Sequence, residues 1–159
     1  MNFKKTQSSA FIFLLILVLS AEATPGAEPR STQTRVPVKT TEIERISAEE
    51  LKAKIARNQP VTIIDVRSTN SYADSDNRIK GAIHVKLRRL KYRLGFPPLK
   101  NVLRDREIVT YCACPSDESA LSAAQVLIGS GFMRVRALTG GWQEWLKVSG
   151  QVEPRPKGI

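Results

Sequence analysis

An α/β domain built on one parallel sheet is predicted by three features of the chain. Val61-Thr62-Ile63-Ile64-Asp65-Val66-Arg67 is nearly all β-branched and apolar before its charged end, the composition of a strand covered on both faces. A second run, Ile108 to Thr110, leads to Cys112, a short loop of small and polar residues, and an Ala/Leu-rich helical pattern beginning near Ser116. Around these two units strand and helix patterns alternate, and right-handed crossovers between them lay the strands parallel in a single sheet.

With 159 residues the chain has room for one ordinary domain, whose core needs no disulfide. Lys4 and Lys5 followed by the apolar run Ala10 to Leu19 and by Ala21-Glu22-Ala23 predict a signal peptide over residues 1–23, cleaved after Ala23. The run is well short of the ~20 residues that span a bilayer, so no stable membrane anchor is expected after cleavage. The expected destination is the periplasm or the exterior, which argues against a nucleic-acid role and favours disulfide formation. Loss of Lys4, Lys5 and Glu22 takes the formal charge from +10 to +9, a balance that attracts anionic partners.

Residues 24–40, rich in Pro, Thr and Ser, read as a disordered linker, and residues 41–148 as the domain. Thr41 to Ile46 predicts a short strand. Ser47 with Glu50 has the spacing of a capping box, and Ala48, Leu51 and Ile55 give the following helix an apolar side until Asn58-Gln59-Pro60 stops it. After the Val61 strand, residues 68–80 are polar with a short helix around Ser71 to Asp74, and Gly81 to Val85 adds a short strand. His84, the one histidine, reads as a packed or surface residue rather than a base. From Lys86 to Leu94, Leu87, Leu90 and Leu94 fall at helical spacing while Arg88, Arg89, Lys91 and Arg93 face elsewhere. That stripe is either a solvated face or a dock for an acidic protein partner or a membrane surface.

Gly95-Phe96-Pro97-Pro98 ends that helix. Beyond the cysteine loop, Ala120, Ala123, Ala124, Leu127 and Ile128 form the buried side of a helix closed by Gly129-Ser130-Gly131. Val135 to Leu138 predicts the last strand, and Trp142, Trp145 and Leu146 a short helix whose tryptophans belong to the core. Residues 149–159, with two prolines, read as an exposed C-terminal tail.

The chemistry concentrates at Cys112. A strand-to-helix loop meets the unpaired amides of the first helical turn, and a helix N-terminus lowers a thiol pKa from ~8.5 into the ~3.5–7.5 range. A cysteine ending a buried strand is also a good small hydrophobe, but two cysteines in one such loop favour the nucleophile. Asp65 and Arg67, at the carboxyl end of their strand, either touch substrate or form a structural pair; the structural pair is favoured because buried charges survive when paired. No Cys/His set has metal-ligand spacing beyond the single Cys-x-Cys, so neither a metal nor a cofactor is expected.

Four segments carry a resemblance. Ile64-Asp65-Val66-Arg67, Arg78-Ile79-Lys80-Gly81-Ala82-Ile83, Val109-Thr110-Tyr111-Cys112 with Ser119-Ala120 and Ala123-Ala124, and Leu138-Thr139-Gly140-Gly141-Trp142 together resemble the rhodanese-like domain family over residues 41–148. The resemblance implies a three-layer domain with a five-stranded parallel sheet between helices. It also implies a sulfurtransferase in which Cys112 carries sulfane sulfur as a persulfide between a donor and a thiol acceptor, within the loop Ala113, Cys114, Pro115, Ser116, Asp117 and Glu118.

The chain departs from that pattern in three places. Asn77-Arg78-Ile79 stands where family members often have Gly-His-Ile, a change of packing. The loop length resembles that of the family's phosphatase and arsenate-reductase branch, which takes its oxyanion on an arginine at the position of Glu118. A carboxylate there repels oxyanions and raises the pKa of a nearby thiol, which argues against both activities. Ser116 at the N-cap, with Asp117 and Glu118 turned outward in the first turn, would remove that obstacle to sulfur transfer. Cys114, the third departure, allows a thiol-disulfide or soft-metal role for the pair, and a non-catalytic binding module is the remaining alternative.

Overall fold

The computed structural model describes residues 42–156; the expected leader and the whole of the expected linker lie outside the described residues. A five-stranded parallel sheet runs in the order β1-β6-β5-β2-β4, with β1 Arg45–Ile46, β2 Val61–Asp65, β4 Ile83–His84, β5 Glu107–Tyr111 and β6 Arg134–Leu138. All five residues of β5 are buried, as the middle strand of a covered sheet must be.

Neighbouring residues of each strand serve opposite faces, and the two faces have separate cores. Ile64, Ile108, Val135 and Ala137 pack with α4, Glu118–Gly129, and with Leu90 of α3, Leu90–Arg93. Ile63, Val109, Tyr111 and Leu138 pack with α1, Ala48–Ala56, and α5, Gly141–Lys147. Small side chains at Ala120, Ala123 and Ala124 let α4 lie close on the sheet, and Leu127, fully buried, adds about 1.5–3 kcal/mol. Trp142 and Trp145 are core residues, as their spacing suggested. The Ser47 hydroxyl accepts from the Glu50 amide at 3.1 Å, which starts α1 where the capping residues place it.

Three stretches differ from the sequence reading. Lys86 to Leu94 is not one amphipathic helix: a 3-10 turn over Leu87–Arg89 precedes the single turn of α3. Residues 68–80 hold, besides α2 at Thr69–Ala73, the strand β3, Asn77–Ile79. The segment expected as an exposed tail supplies β7, Val152–Pro154, which pairs antiparallel with β3 and brings Arg78 to 2.8 Å from Glu153. A three-residue strand containing proline is legible only through its partner, because proline is confined to edges and ends of sheets. The Trp145 indole N–H donates to the Gln151 carbonyl at 3.2 Å and so ties this segment to α5.

Candidate active site

The middle strand delivers Cys112 to the carboxyl edge of the sheet, where open α/β sheets form their sites. The Tyr111 carbonyl accepts from the Val66 amide at 2.9 Å, and the Cys112 carbonyl accepts from the Trp142 amide at 2.8 Å. The base of the loop is therefore stitched to the end of β2 on one side and to the start of α5 on the other. Close approach at the second stitch requires Gly141: it has φ +49°, and a Cβ there would overlap the Cys112 carbonyl oxygen.

Across the loop, the Asp117 amide donates to the Cys114 carbonyl at 3.2 Å, closing a turn in which Asp117 takes the left-handed conformation, φ 57°. This moves the helix start. Asp117, not Ser116, is the N-cap of α4, and its side chain makes no capping bond. Its carboxylate does not meet the condition of facing water: Asp117 is buried, and its Oδ2 accepts from Arg45 Nη1 and from the Gly140 amide, both at 3.0 Å. The physical reason is that a buried carboxylate needs donors, and the turn aims it at the β6–α5 corner. Glu118 is exposed and opens α4.

Cys112 is buried, Cys114 half-buried, and their Sγ atoms are bonded as a disulfide. Around them, among the described residues, no carbonyl accepts from the amides of Ala113, Cys114 or Ser116, nor from those of Glu118 and Ser119 in the first helical turn. Pro115 has no amide to offer. Unpaired backbone donors of this kind suit an anionic atom such as a thiolate or a terminal persulfide sulfur.

Asp65 and Arg67 lie beneath the loop as a structural pair. Both are buried; Arg67 Nη2 reaches Asp65 Oδ2 at 2.7 Å and the Asn77 carbonyl at 3.1 Å, and the Arg67 guanidinium stacks 4.4 Å from the Trp142 ring. The Tyr111 hydroxyl donates to Asp65 Oδ2 at 2.6 Å and accepts from the Ile79 amide at 3.3 Å. Burial pushes the Asp65 carboxyl up, but the His84 ring 3.7 Å away, hydrogen bonds from Arg67 and Tyr111 and the charge of Arg67 hold it below the ordinary aspartate value. The same burial, with the Asp65 charge beside it, drives the Tyr111 phenol far above its ordinary value, so it remains a donor.

Arg45, Tyr111, Gly140 and Gly141 position the site without having been marked as site residues in the sequence. Tyr111 and the glycines fall inside recognisable segments, where a polar residue in an apolar strand and a double glycine before a helix are signals. Arg45, 72 residues before Asp117, carries none.

A five-stranded parallel sheet covered on both faces, with a cysteine loop at the end of its middle strand, defines a class of α/β domain. The chain belongs to the rhodanese-like domain family, whose model matches residues 47–148. It is similar to the thiosulfate sulfurtransferase GlpE of Stutzerimonas stutzeri, 32% identical over 105 residues that span 66% of this chain and 86% of the relative. The GlpE of Pseudomonas entomophila is 30% identical over 106 residues, 65% of this chain and 85% of the relative. Among solved structures, the Alr3790 protein from Anabaena sp. matches with a TM-score of 0.59 at 30% identity, covering 69% of this chain and 82% of that one. The BH2092 protein from Bacillus halodurans matches with a TM-score of 0.59 at 26% identity, covering 70% and 77%.

Proposed function

We propose that this protein is a sulfurtransferase that carries sulfane sulfur as a persulfide on Cys112. The observation that carries the reading is the placement of Cys112 at the end of the middle strand, before a loop whose amides have no carbonyl partners. In the reduced protein the Cys112 thiolate attacks the outer sulfur of a donor such as thiosulfate. A sulfur–sulfur bond forms, the donor's sulfur–sulfur bond breaks, and sulfite leaves with the electron pair. A thiol acceptor, as thiolate, then attacks the terminal sulfur and releases Cys112 as thiolate. The loop amides stabilise the anionic sulfur, and Arg45 is paired with the Asp117 carboxylate. Glu118 argues against phosphoryl and arsenate chemistry, which need positive charge at the transferring group. Release from a leader after Ala23 into the periplasm or exterior belongs to the same proposal, and an exported chain whose N-terminal residue is Thr24 tests it.

Intact mass of the reduced protein before and after exposure to thiosulfate or a polysulfide tests the chemistry, beside the Cys112→Ser variant. The expected result is a gain of sulfur, reversed by reductant and absent in the variant; sulfur loading retained by Cys112→Ser overturns the assignment. The Cys112–Cys114 bond favours a second reading, a thiol-disulfide protein that needs both cysteines. Equal loss of activity in Cys112→Ser and Cys114→Ser supports that reading over sulfur transfer.

A further inference from the structure

Beside the cysteine loop runs a trough whose walls are cationic and which the transfer chemistry does not use. Its outer recess, about 400 Å³, is walled by Lys86, Arg88, Arg89, Arg93 and Arg155. These come from three places in the chain: the turn after β4, α3, and the segment just beyond β7. Its inner recess, about 390 Å³, shares Thr69, Lys86 and Arg88 with the outer one and continues to Arg67 and Ser119. Ser119 follows Glu118, so the inner end reaches the first turn of α4, directly after the cysteine loop. No carboxylate lines either recess.

Elsewhere several of the basic groups are paired with carboxylates. Glu107 meets Lys54, Arg134 and Arg136, Asp117 meets Arg45, and Glu153 meets Arg78. Lys86, Arg88 and Arg89 form no ion pair among the described residues, and the buried Nη1 of Arg67 has no hydrogen-bond partner. Arg155 is held in place by the carbonyls of Ser75 and Ala73 at 2.9 and 3.2 Å. The floor carries the His84 ring stacked 3.7 Å from that of Tyr72. Like charges held side by side repel one another, and an anionic occupant relieves that repulsion. Guanidinium forks select carboxylates by paired hydrogen bonds, and arginine clusters serve this purpose in acidic-motif recognition.

We infer that the trough docks an extended, Asp/Glu-rich segment of the protein that gives sulfur to Cys112 or takes it away; this rests on the sulfurtransferase reading for what the docked protein does there. An extended segment fits better than a compact anion, because the cations are strung along two joined recesses rather than gathered at one point. The inner end then leads the partner's reactive sulfur toward the cysteine loop.

A fluorescein-labelled octaglutamate peptide, followed by fluorescence anisotropy, tests the docking without any sulfur chemistry. The wild type, Cys112→Ser and the charge-matched control Lys80→Glu/Lys100→Glu are expected to bind alike, and Arg88→Glu/Arg89→Glu about tenfold or more weakly. Arg88 and Arg89 are exposed, and unchanged circular dichroism confirms that their replacement leaves the fold intact. Equal weakening in the control overturns the proposal in favour of net charge alone. Citrate displacing the peptide at matched total charge assigns the trough to free anions and overturns it. Tighter binding to phosphatidylglycerol vesicles than to the peptide does the same in favour of a membrane. If Cys112→Ser still loads sulfur while the peptide binds as expected, the catalytic reading fails and the docking stands.

Discussion

Gly141 and Cys112 meet at one oxygen: the Cys112 carbonyl accepts from the Trp142 amide at 2.8 Å, and the space a Cβ on Gly141 would need is the space that oxygen fills. The contact couples the β6–α5 corner to the cysteine loop. Gly141→Ala must move one or the other, and it also places a side chain at φ +49°. The expected cost is roughly 1–3 kcal/mol of stability for the backbone conformation alone. Urea denaturation measures it, and sulfur loading should fall further than stability, since the displaced group is the base of the loop. A variant that matches the wild type in both would show that the corner does not set the loop.

The bond between Cys112 and Cys114 leads to a prediction about reductant. While it is closed, Cys112 has no thiolate and accepts no sulfur. Cys114→Ser cannot close it. Purified without reductant, the variant should load sulfur from thiosulfate at once, while the wild type waits for a thiol reductant. Loading by the oxidised wild type at the variant's rate would contradict this.

The Tyr111 hydroxyl links Asp65 to the Ile79 amide, and its removal leaves two buried polar groups short of a partner. Tyr111→Phe should therefore cost about 1–3 kcal/mol at neutral pH. The pH dependence carries the sharper test. The Asp65 carboxyl titrates lower in the folded than in the unfolded chain, so its contribution is complete above its unfolded value, ~3.9, and drains as pH falls through the folded value. The Tyr111 phenol is shifted upward, so its contribution is complete below the unfolded value of ~10 and is lost as pH rises beyond it. Denaturation across pH should show Tyr111→Phe losing the alkaline fall and flattening the acid one. Parallel curves for the two proteins would rule out this role.

How much of this was legible in the chain depends on how local the signal is. The strands at Val61 and Ile108, the capped start of α1 and the apolar side of α4 declare themselves within a few residues, and the structure has them in place. Strand β7 and the pairing of Arg45 with Asp117 depend on partners more than 70 residues away, and no local pattern announces them. The start of α4 was misplaced by one residue for a related reason. Ser116 and Asp117 are equally good caps by type, and the turn closed on the Cys114 carbonyl and the donors waiting for the Asp117 carboxylate decide between them.

A last prediction separates what Glu118 does for the helix from what it does to a donor. As the first residue of α4 it is an exposed carboxylate at the positive end of the helix dipole, worth about 0.3–1 kcal/mol to stability. To an anionic donor approaching the loop it is a like charge, and one unit charge at ~4 Å is worth about 1 kcal/mol in water, less in salt. Glu118→Arg reverses both effects. The melting temperature should fall slightly while the rate of loading from thiosulfate rises a few-fold, on the order of what 1 kcal/mol supplies, with the gain shrinking as ionic strength increases. A rate gain that is indifferent to salt would mean that the arginine reshapes the loop rather than its field. No gain at all would place Glu118 off the donor's path, and the sign of its charge would then cease to discriminate among the reactions open to Cys112.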